Sequence, residues 1–538
     1  MKIRLAQINP IVGNLEYNSN LIKDIIESSE SFDIVVFPEL SLTGYPPQDL
    51  LFDKKFIKET KETLIDIKKH VKHQVVVLGL PMYEGDSLMN SAAVLKGGEV
   101  VGYHRKILLP TYDVFDETRY FDSSDKISPI IVSVDNKKVS LGIQICEDLW
   151  DDSYSTKITK TLIDKGAEMI INISASPYRK KIIDKRIELC ADRCKDLKYY
   201  FIYCNLIGGQ DELVFDGRSF IMDNNRDIKA FGNSFKEDII DFDSNMSKSL
   251  DGFSFEVDES EELFNALSLG LSDYFKKSGF KKAVIGLSGG IDSSITAAIA
   301  VDALGKDNVV GVSMPSSFSS DHSKSDARIL AENLGIRFEM IPINELYDKA
   351  LSSMTSFFKD TPRGLAEENL QARIRGNILM SISNKIGALV LNTGNKTELA
   401  LGYCTMYGDM CGAIGVISDI NKLEVYEISK WINKNNHKIV IPENSINKAP
   451  SAELSEDQYD PFDYNIVSPI VDHIINDSYD ANDLMKMGYE SDLINDIFSK
   501  IHTSEYKRRQ APPGIKVSEK AFGMGRRYPM NNQYRDKK

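Results

Sequence analysis

Along the first ~235 residues, short apolar runs alternate with stretches whose apolar positions recur every three to four residues. Ile3–Ile8, Asp33–Phe37, Val75–Leu80, Val139–Ile145, Met169–Ile173 and Tyr200–Cys204 read as strands, and Asn18–Ser29 and Lys54–Lys69 as helices. The alternation predicts an α/β domain. Ser91–Tyr103, folded around Gly97-Gly98, reads as a hairpin, so the sheet is not purely parallel. Between about residues 236 and 262 the pattern dissolves into an acidic, Ser-rich segment, the expected linker. A second alternation follows: strand 283–287, helix 293–304, strand Val309–Met314, helix 321–334, strand Arg337–Ile341, helix 365–385 and strand Ala388–Leu391. Such alternation implies a doubly wound parallel sheet that binds its ligand beyond the C-terminal strand ends. The expected organisation is a first domain over 1–240, a linker over 241–260 and a second domain over 261–538.

Composition narrows the class. At 538 residues the chain exceeds a single core, and 42% hydrophobic with 27% charged residues is the balance of a water-soluble globular protein. A formal net charge of −14 argues against nucleic acid or anionic membrane as partner. Positive charge gathers at the end, where residues 507–538 hold ten Lys/Arg against two acids. The six cysteines fit neither zinc nor secreted disulfide spacing, which suits reduced thiols in a cytoplasm. No apolar run reaches the ~20 residues of a membrane span, and Met1-Lys2-Ile3-Arg4-Leu5 reads as a strand rather than a signal peptide.

Candidate chemistry sits where strands end. Ala283-Val284-Ile285 runs into Gly286-Leu287-Ser288-Gly289-Gly290-Ile291-Asp292-Ser293-Ser294 ahead of a helix. Glycines let the backbone approach an anion, hydroxyls add donors, and the helix directs its positive end at the charge. The Gly-Lys-Ser/Thr ending of a P-loop is missing. Asp292 in such a cradle calls for a divalent cation between carboxylate and phosphate. The string SGGxDS resembles the signature of the ATP pyrophosphatases, which cleave ATP to AMP and pyrophosphate while activating a carboxylate or carbonyl oxygen.

In the first half, Glu39 (Val-Val-Phe-Pro-Glu-Leu), Lys106 (Tyr-His-Arg-Lys-Ile-Leu-Leu-Pro) and Cys146 (Gly-Ile-Gln-Ile-Cys-Glu-Asp-Leu-Trp) each follow an apolar strand. Singly, the Cys reads as a buried small hydrophobe and the Glu and Lys as solvated charges. Together they resemble the Glu-Lys-Cys triad of the nitrilase, or carbon–nitrogen hydrolase, superfamily. Thiolate attack on an amide needs a base, Glu39, because a free thiol has a pKa near ~8.5. It also needs a cation at the oxyanion, Lys106. By the same resemblance Glu117 is a second carboxylate holding the triad in place. Leu-Pro-Thr-Tyr-Asp-Val-Phe-Asp-Glu and Asn-Ile-Ser-Ala-Ser-Pro-Tyr look like the glutaminase branch, which puts Tyr112, Ser174 and Lys180 around glutamine. By itself Lys180, in Arg179-Lys180-Lys181, reads as a solvated helix start. Cys190 and Cys194, one helical turn apart, read as core or half-buried thiols.

On helix 365–385, Leu370, Ile374 and Ile378 form an apolar stripe, while Asn369 and Arg373 share a neighbouring face open either to ligand or to solvent. Asn392-Thr393-Gly394-Asn395-Lys396-Thr397-Glu398 is a second donor-rich strand-to-helix turn. Two such turns in one sheet make a nucleotide crevice. With Gly402-Tyr403-Cys404-Thr405-Met406-Tyr407-Gly408-Asp409-Met410 and Glu505–Gly514, these motifs resemble the glutamine-dependent NAD synthetases over nearly the whole chain. The resemblance implies a nitrilase-like α-β-β-α sandwich followed by a doubly wound parallel-sheet domain of the adenine nucleotide α-hydrolase type. It further implies glutamine hydrolysis at Cys146, with ammonia passed through a tunnel to AMP-activated deamido-NAD, and ATP and magnesium as co-reactants. It assigns ATP to 286–293, Thr393, Lys422 and Ser451, and deamido-NAD to Asn369, Arg373, Glu398, Tyr403, Thr405 and Lys507. Magnesium falls to Asp292 and Glu398, and Lys507-Arg508-Arg509 becomes a candidate phosphate clamp. A homo-oligomer, at least a dimer of synthetase domains, is implied as well. Two departures stand out: Met406 and Ala413 replace a Lys and an Asp of the ammonia-dependent enzymes, and the stretch 455–461 after Pro450-Ser451-Ala452-Glu453-Leu454 is compressed. One rival reading keeps the pyrophosphatase chemistry with another acceptor; another makes the chain an amidase whose second half only binds nucleotide.

Overall fold

The computed structural model describes residues 1–134, 137–246, 258–359, 361–456 and 458–534. The chain divides into two compact units, Met1–Gln210 with Val214–Glu256, and Asp211–Leu213 with Val257–Lys538.

Unit one holds β1 (Lys2–Gln7), β2 (Ile34–Val36), β3 (Val75–Glu84), β4 (Ser87–Lys96), β5 (Glu99–Arg105), β6 (Ile130–Val134), β7 (Lys137–Ile145), β8 (Met169–Ser174) and β9 (Tyr200–Asn205). A short pair, β10 (Ile207–Gln210) and β11 (Leu213–Asp216), precedes β12 (Phe220–Asp223), β13 (Ile228–Phe231) and β14 (Asp238–Asp243). Two six-stranded sheets result, ordered β14-β1-β2-β3-β4-β5 and β13-β12-β9-β8-β7-β6. Alternation decides the layers. Ile3, Leu5, Val36, Val75 and Val77 of the first sheet meet Leu141, Ile143, Ile145, Ile171 and Ile173 of the second in one buried core. The opposite face of sheet one, with Val35, Phe37, Val76 and Leu78, packs Ile22, Ile26, Leu64 and Ile67 from helices Leu15–Glu27 and Lys54–Ile67. Phe201, Tyr203 and Phe220 of sheet two pack Leu162, Leu189 and Cys190 from helices Ile158–Asp164 and Ile182–Cys194. This is the expected α-β-β-α sandwich. Cys190 and Cys194 are core thiols, and all six cysteines are free.

Where the pattern predicted linker, the structure has an edge strand. Asp238–Asp243 runs antiparallel to β1, burying Ile240 and Phe242 and placing Asp241 and Asp243 on the opposite side. Those acids, which pair with Arg4 and Lys2, hide the alternation in the sequence. Residues 247–257 of the expected linker lie outside the described residues, and helix Glu259–Ser278, capped by Asp258, follows.

Unit two is a five-stranded parallel sheet ordered β17-β16-β15-β18-β19: β15 (Lys282–Gly286), β16 (Val309–Ser313), β17 (Arg337–Met340), β18 (Ala388–Asn392) and β19 (Ile414–Gly415). The order steps outward from β15 to β17, then returns to the other side of β15. That reversal between β15 and β18 opens a crevice at their C-terminal ends. Helix Ile291–Leu304 begins two residues earlier than the pattern suggested, so Asp292 and Ser293 lie in its first turn. Beyond residue 420, Lys422–Asn435, Tyr464–Ile475 and Ser491–Thr503 are helices, the last two packing on Ala400 and Leu401. At the start of the basic stretch, helix Glu505–Arg508 buries Arg508. No helix among the described residues is long and apolar enough to cross a membrane.

Candidate active sites

In unit one, the ends of β2, β5, β7 and β8 converge. Glu39 follows β2 and Lys106 follows β5; both side chains are fully enclosed. The Lys106 ammonium donates to Glu39 Oε1 and Glu117 Oε1, each at 2.8 Å. Glu39 also accepts from Asn90 Nδ2 at 2.8 Å and, on its other oxygen, from the Ala175 N–H at 3.0 Å. Gly79 makes room for this approach: a Cβ there would fall 2.4 Å from the Leu40 nitrogen. Glu117 accepts the Tyr45 hydroxyl at 3.0 Å, while its Oε2 is buried with no partner among the described residues. Burial, opposed by Lys106 and reinforced by Glu39, raises the Glu117 carboxyl to about 7. Burial pushes Lys106 towards neutrality, yet Glu117 and Glu39 outweigh it and hold the ammonium well above its ordinary range.

Cys146 follows β7 and is 5% exposed. Its φ of +46° is a left-handed conformation costing a non-glycine residue about 1–3 kcal/mol. Asp148 anchors that turn, accepting from the Ile145, Ile107 and Leu108 N–H groups at 3.0 Å and facing His104 Nε2 at 3.0 Å. One carboxylate therefore ties the cysteine turn to the loop carrying Lys106. Burial raises the thiol well above its usual range, Glu39 adds to this, and Lys106 opposes it. Glu147 beside it accepts Tyr112 at 2.9 Å and Tyr154 at 3.0 Å, which brings Tyr112 to the cysteine turn. Ser174, at the end of β8, donates to Asn172 at 2.6 Å. Lys180 is half-buried just ahead of helix Ile182–Cys194.

In unit two, the crevice between β15 and β18 collects part of the remaining predicted set, including Tyr403. Gly289 takes a φ of +80° with its Cα against helix Asp321–Leu334; a Cβ would lie 2.3 Å from the Ser323 carbonyl oxygen. Ser288 and Ser293 hydroxyls lie 3.1 Å apart, and Gly290 N–H donates to Ser288 at 3.1 Å. The side chains of Leu287 and Ile291 are buried. A cavity is lined by Ser288, Ser293, Thr393, Glu398, Lys422 and Ser451. The Lys422 ammonium bonds Asp292 and lies 3.5 Å from Glu398. Asn395 orients both carboxylates: its Nδ2 donates to Asp292 at 2.9 Å, and it forms a capping box with Glu398. Burial raises the Glu398 carboxyl to about 8, and Asp292 adds to the shift.

The loop from Gly402 to Asp409 docks on helix Leu365–Ile386. Thr405 Oγ1 donates to Asn369 at 2.7 Å, and Arg373 Nε donates to the Met406 carbonyl at 3.3 Å. Position 406 thus contributes backbone, not a side-chain charge. Lys507 donates to the Gly402 and Cys404 carbonyls at 2.7 and 2.9 Å. Arg508 departs from the expected clamp: it is buried, bonding Glu505 and the Leu399 and Ala400 carbonyls at the end of helix Lys396–Leu401. Arg509 pairs with Glu505.

Fold and sites together define a two-part amide-handling enzyme, an amidase-type sandwich in series with a nucleotide-binding α/β unit. Comparison with known proteins agrees: the carbon–nitrogen hydrolase family model matches residues 2–248 and the NAD synthase model residues 263–511. The chain is 41% identical to the glutamine-dependent NAD(+) synthetase of Synechocystis sp., covering 98% of each. It is 39% identical to that of Thermotoga maritima, covering 100% of this chain and 99% of the relative. The solved structure of the Acinetobacter baumannii glutamine-dependent NAD+ synthetase with ADP superposes with a TM-score of 0.79 at 34% identity, covering 98% of each chain. The chain belongs to the glutamine-dependent NAD(+) synthetase family.

Proposed function

We propose that the chain makes NAD from deamido-NAD at the expense of ATP, drawing nitrogen from glutamine at Cys146. What carries this reading is the pairing in one chain of an enclosed Lys106–Glu39–Glu117 cluster beside a turn-borne cysteine with a Gly/Ser loop at a sheet's switch point.

At the first site Glu39 takes the thiol proton and the sulfur attacks the glutamine carboxamide carbon. Lys106 stabilises the oxyanion that forms. The C–N bond then breaks, the proton passes from Glu39 to the departing nitrogen, and ammonia leaves a glutamyl thioester. Glu39 next takes a proton from water, whose oxygen attacks the thioester carbon; the C–S bond breaks, glutamate leaves and the thiol is restored. Glu117 holds the Lys106 ammonium in place. Tyr112, Ser174 and Lys180 bind the substrate.

At the second site the nicotinate carboxylate of deamido-NAD attacks the α-phosphorus of ATP, and the bond to the bridging oxygen breaks to release pyrophosphate. Ammonia attacks the activated carbonyl carbon, loses a proton and displaces AMP, giving NAD. The loop 286–293, Thr393, Lys422 and Ser451 bind ATP; Asn369, Arg373, Glu398, Tyr403, Thr405 and Lys507 bind the dinucleotide. Asp292 and Glu398 offer hard carboxylate oxygens at the cavity that also holds the loop hydroxyls, the donor set magnesium takes when phosphates supply its other ligands. Bound there, magnesium supplies charge neutralisation to the triphosphate. The protein acts in the cytoplasm as a homo-oligomer, at least a dimer through synthetase units.

The test is NAD formation by purified protein given deamido-NAD, ATP and magnesium with either glutamine or ammonium. NAD, AMP and pyrophosphate in equal amounts from both nitrogen sources are expected; no NAD from either contradicts the reading.

A further inference from the structure

The second site holds a further cation beside Lys422. Lys448 lines the same cavity as Ser288, Gly290, Ser293 and Lys422. Its ammonium donates to Ser323 Oγ at 2.6 Å and bonds Glu453. Ser323 is the residue whose carbonyl abuts Gly289, so Lys448 stands one contact from the phosphate loop. The segment that carries it is fastened there too: Ser445 Oγ donates to the Gly289 carbonyl at 2.9 Å, and Gln371 Nε2 donates to the Leu454 carbonyl at 2.8 Å. Glu453 in turn accepts from the Ser320 N–H and hydroxyl at 3.2 and 3.0 Å and from Ser323 Oγ at 2.8 Å.

Charge in the cavity makes this cation consequential. Among the residues lining it, the cationic side chains are Lys422 and Lys448, against the carboxylates of Asp292, Glu398, Asp409, Glu453 and Asp460. Lys422 is already shared by Asp292 and Glu398 on one side of the loop. Cleavage of ATP between the α- and β-phosphates sends the bond's electron pair, and hence new negative charge, onto pyrophosphate. A donor is needed where that charge appears.

We propose that Lys448 is a second polyphosphate-binding residue, held by Glu453 until the β- and γ-phosphates arrive and then donating to them and to the departing pyrophosphate. No proton changes hands in this role; the ammonium exchanges one oxyanion partner for another. Half-buried and bonded on its near side to Ser323, Lys448 can make that exchange by side-chain rotation. This inference rests on the ATP-cleaving role proposed above.

The experiment measures product inhibition by pyrophosphate and by AMP in ammonium-driven NAD synthesis, for wild type, Lys448→Met, Glu453→Gln and the double variant. Lys448→Met should weaken pyrophosphate inhibition by about tenfold, the scale of one charge-assisted hydrogen bond, and raise KM for ATP while leaving AMP inhibition unchanged. Glu453→Gln, which frees the ammonium, should tighten pyrophosphate inhibition several-fold. The double variant removes both members of the pair, guarding against misfolding caused by one stranded charge. It should behave as Lys448→Met does. Equal pyrophosphate inhibition in wild type and both Lys448 variants would overturn the proposal, as would parallel losses for AMP. Wild-type protein that makes no NAD at all would instead defeat the functional reading on which the proposal rests.

Discussion

Each unit sets one lysine ammonium between two carboxylates, Lys106 between Glu39 and Glu117, and Lys422 between Asp292 and Glu398. The chemistry of the two clusters is the same and their surroundings are not. Lys106 and Glu39 are wholly enclosed, and Glu117 nearly so, whereas the Asp292 and Glu398 side chains keep 18% and 19% of their surface open to the crevice. An enclosed ammonium has no exchange partner, so its charge is permanent, as a covalent site with a buried oxyanion requires. An ammonium at the wall of a cavity can give up its carboxylates when another anion enters. Burial thus separates a fixed electrostatic device from a replaceable one.

Four substitutions test that contrast. Lys106→Met should have the largest effect, leaving two enclosed carboxylates without their cation: a stability loss of about 3–5 kcal/mol by urea unfolding, with glutamine-driven activity down about 10²–10³-fold. Retention of wild-type stability would show that the cluster is not held as described. Asp292→Asn should abolish NAD synthesis from either nitrogen source by about 10²-fold while costing less stability than Lys106→Met, because the crevice hydrates what remains. Glu117→Gln addresses pH. With its folded carboxyl raised from 4.5 to about 7, Glu117 binds a proton in the folded state that the unfolded chain has already lost. Its contribution to stability therefore falls as pH rises through that window. The variant should lose that part of the slope in unfolding curves taken at about pH 5 and about pH 7.5; identical slopes would refute the shift. Asn90→Ala, removing one of the donors to Glu39, should lower glutamine-driven kcat/KM by roughly tenfold, about one hydrogen bond to a charged group. Its signature is a displaced pH profile, with ammonium-driven synthesis unchanged.

How much of this the sequence disclosed depended on where each residue's partner lies. Glu39, Lys106, Cys146 and the loop at 286–294 were legible because each ends an apolar run, and strand ends are where catalytic groups are placed. The residues that arrange them were not. Asn90 meets Glu39 across 51 residues, and Asn395 meets Asp292 across 103. Either reads locally as an ordinary strand or cap asparagine. Asp148, the second of two acids that follow Cys146, carries no periodic signal, although it fixes the cysteine turn. The strand at 238–243 was concealed by its own acids, and Arg508 by a basic run whose burial only the helices around it create. Fold class follows from local pattern, whereas site geometry follows from contacts between distant strand ends.

The central claim is that the two clusters run separate reactions joined by ammonia. Cys146→Ala, assayed with each nitrogen source, tests it most directly. The account predicts that glutamine-driven NAD synthesis falls by about 10³-fold or more, while ammonium-driven synthesis stays within about twofold of wild type. Equal loss with both nitrogen sources in a folded protein, or persistence of glutamine-driven synthesis, would contradict it.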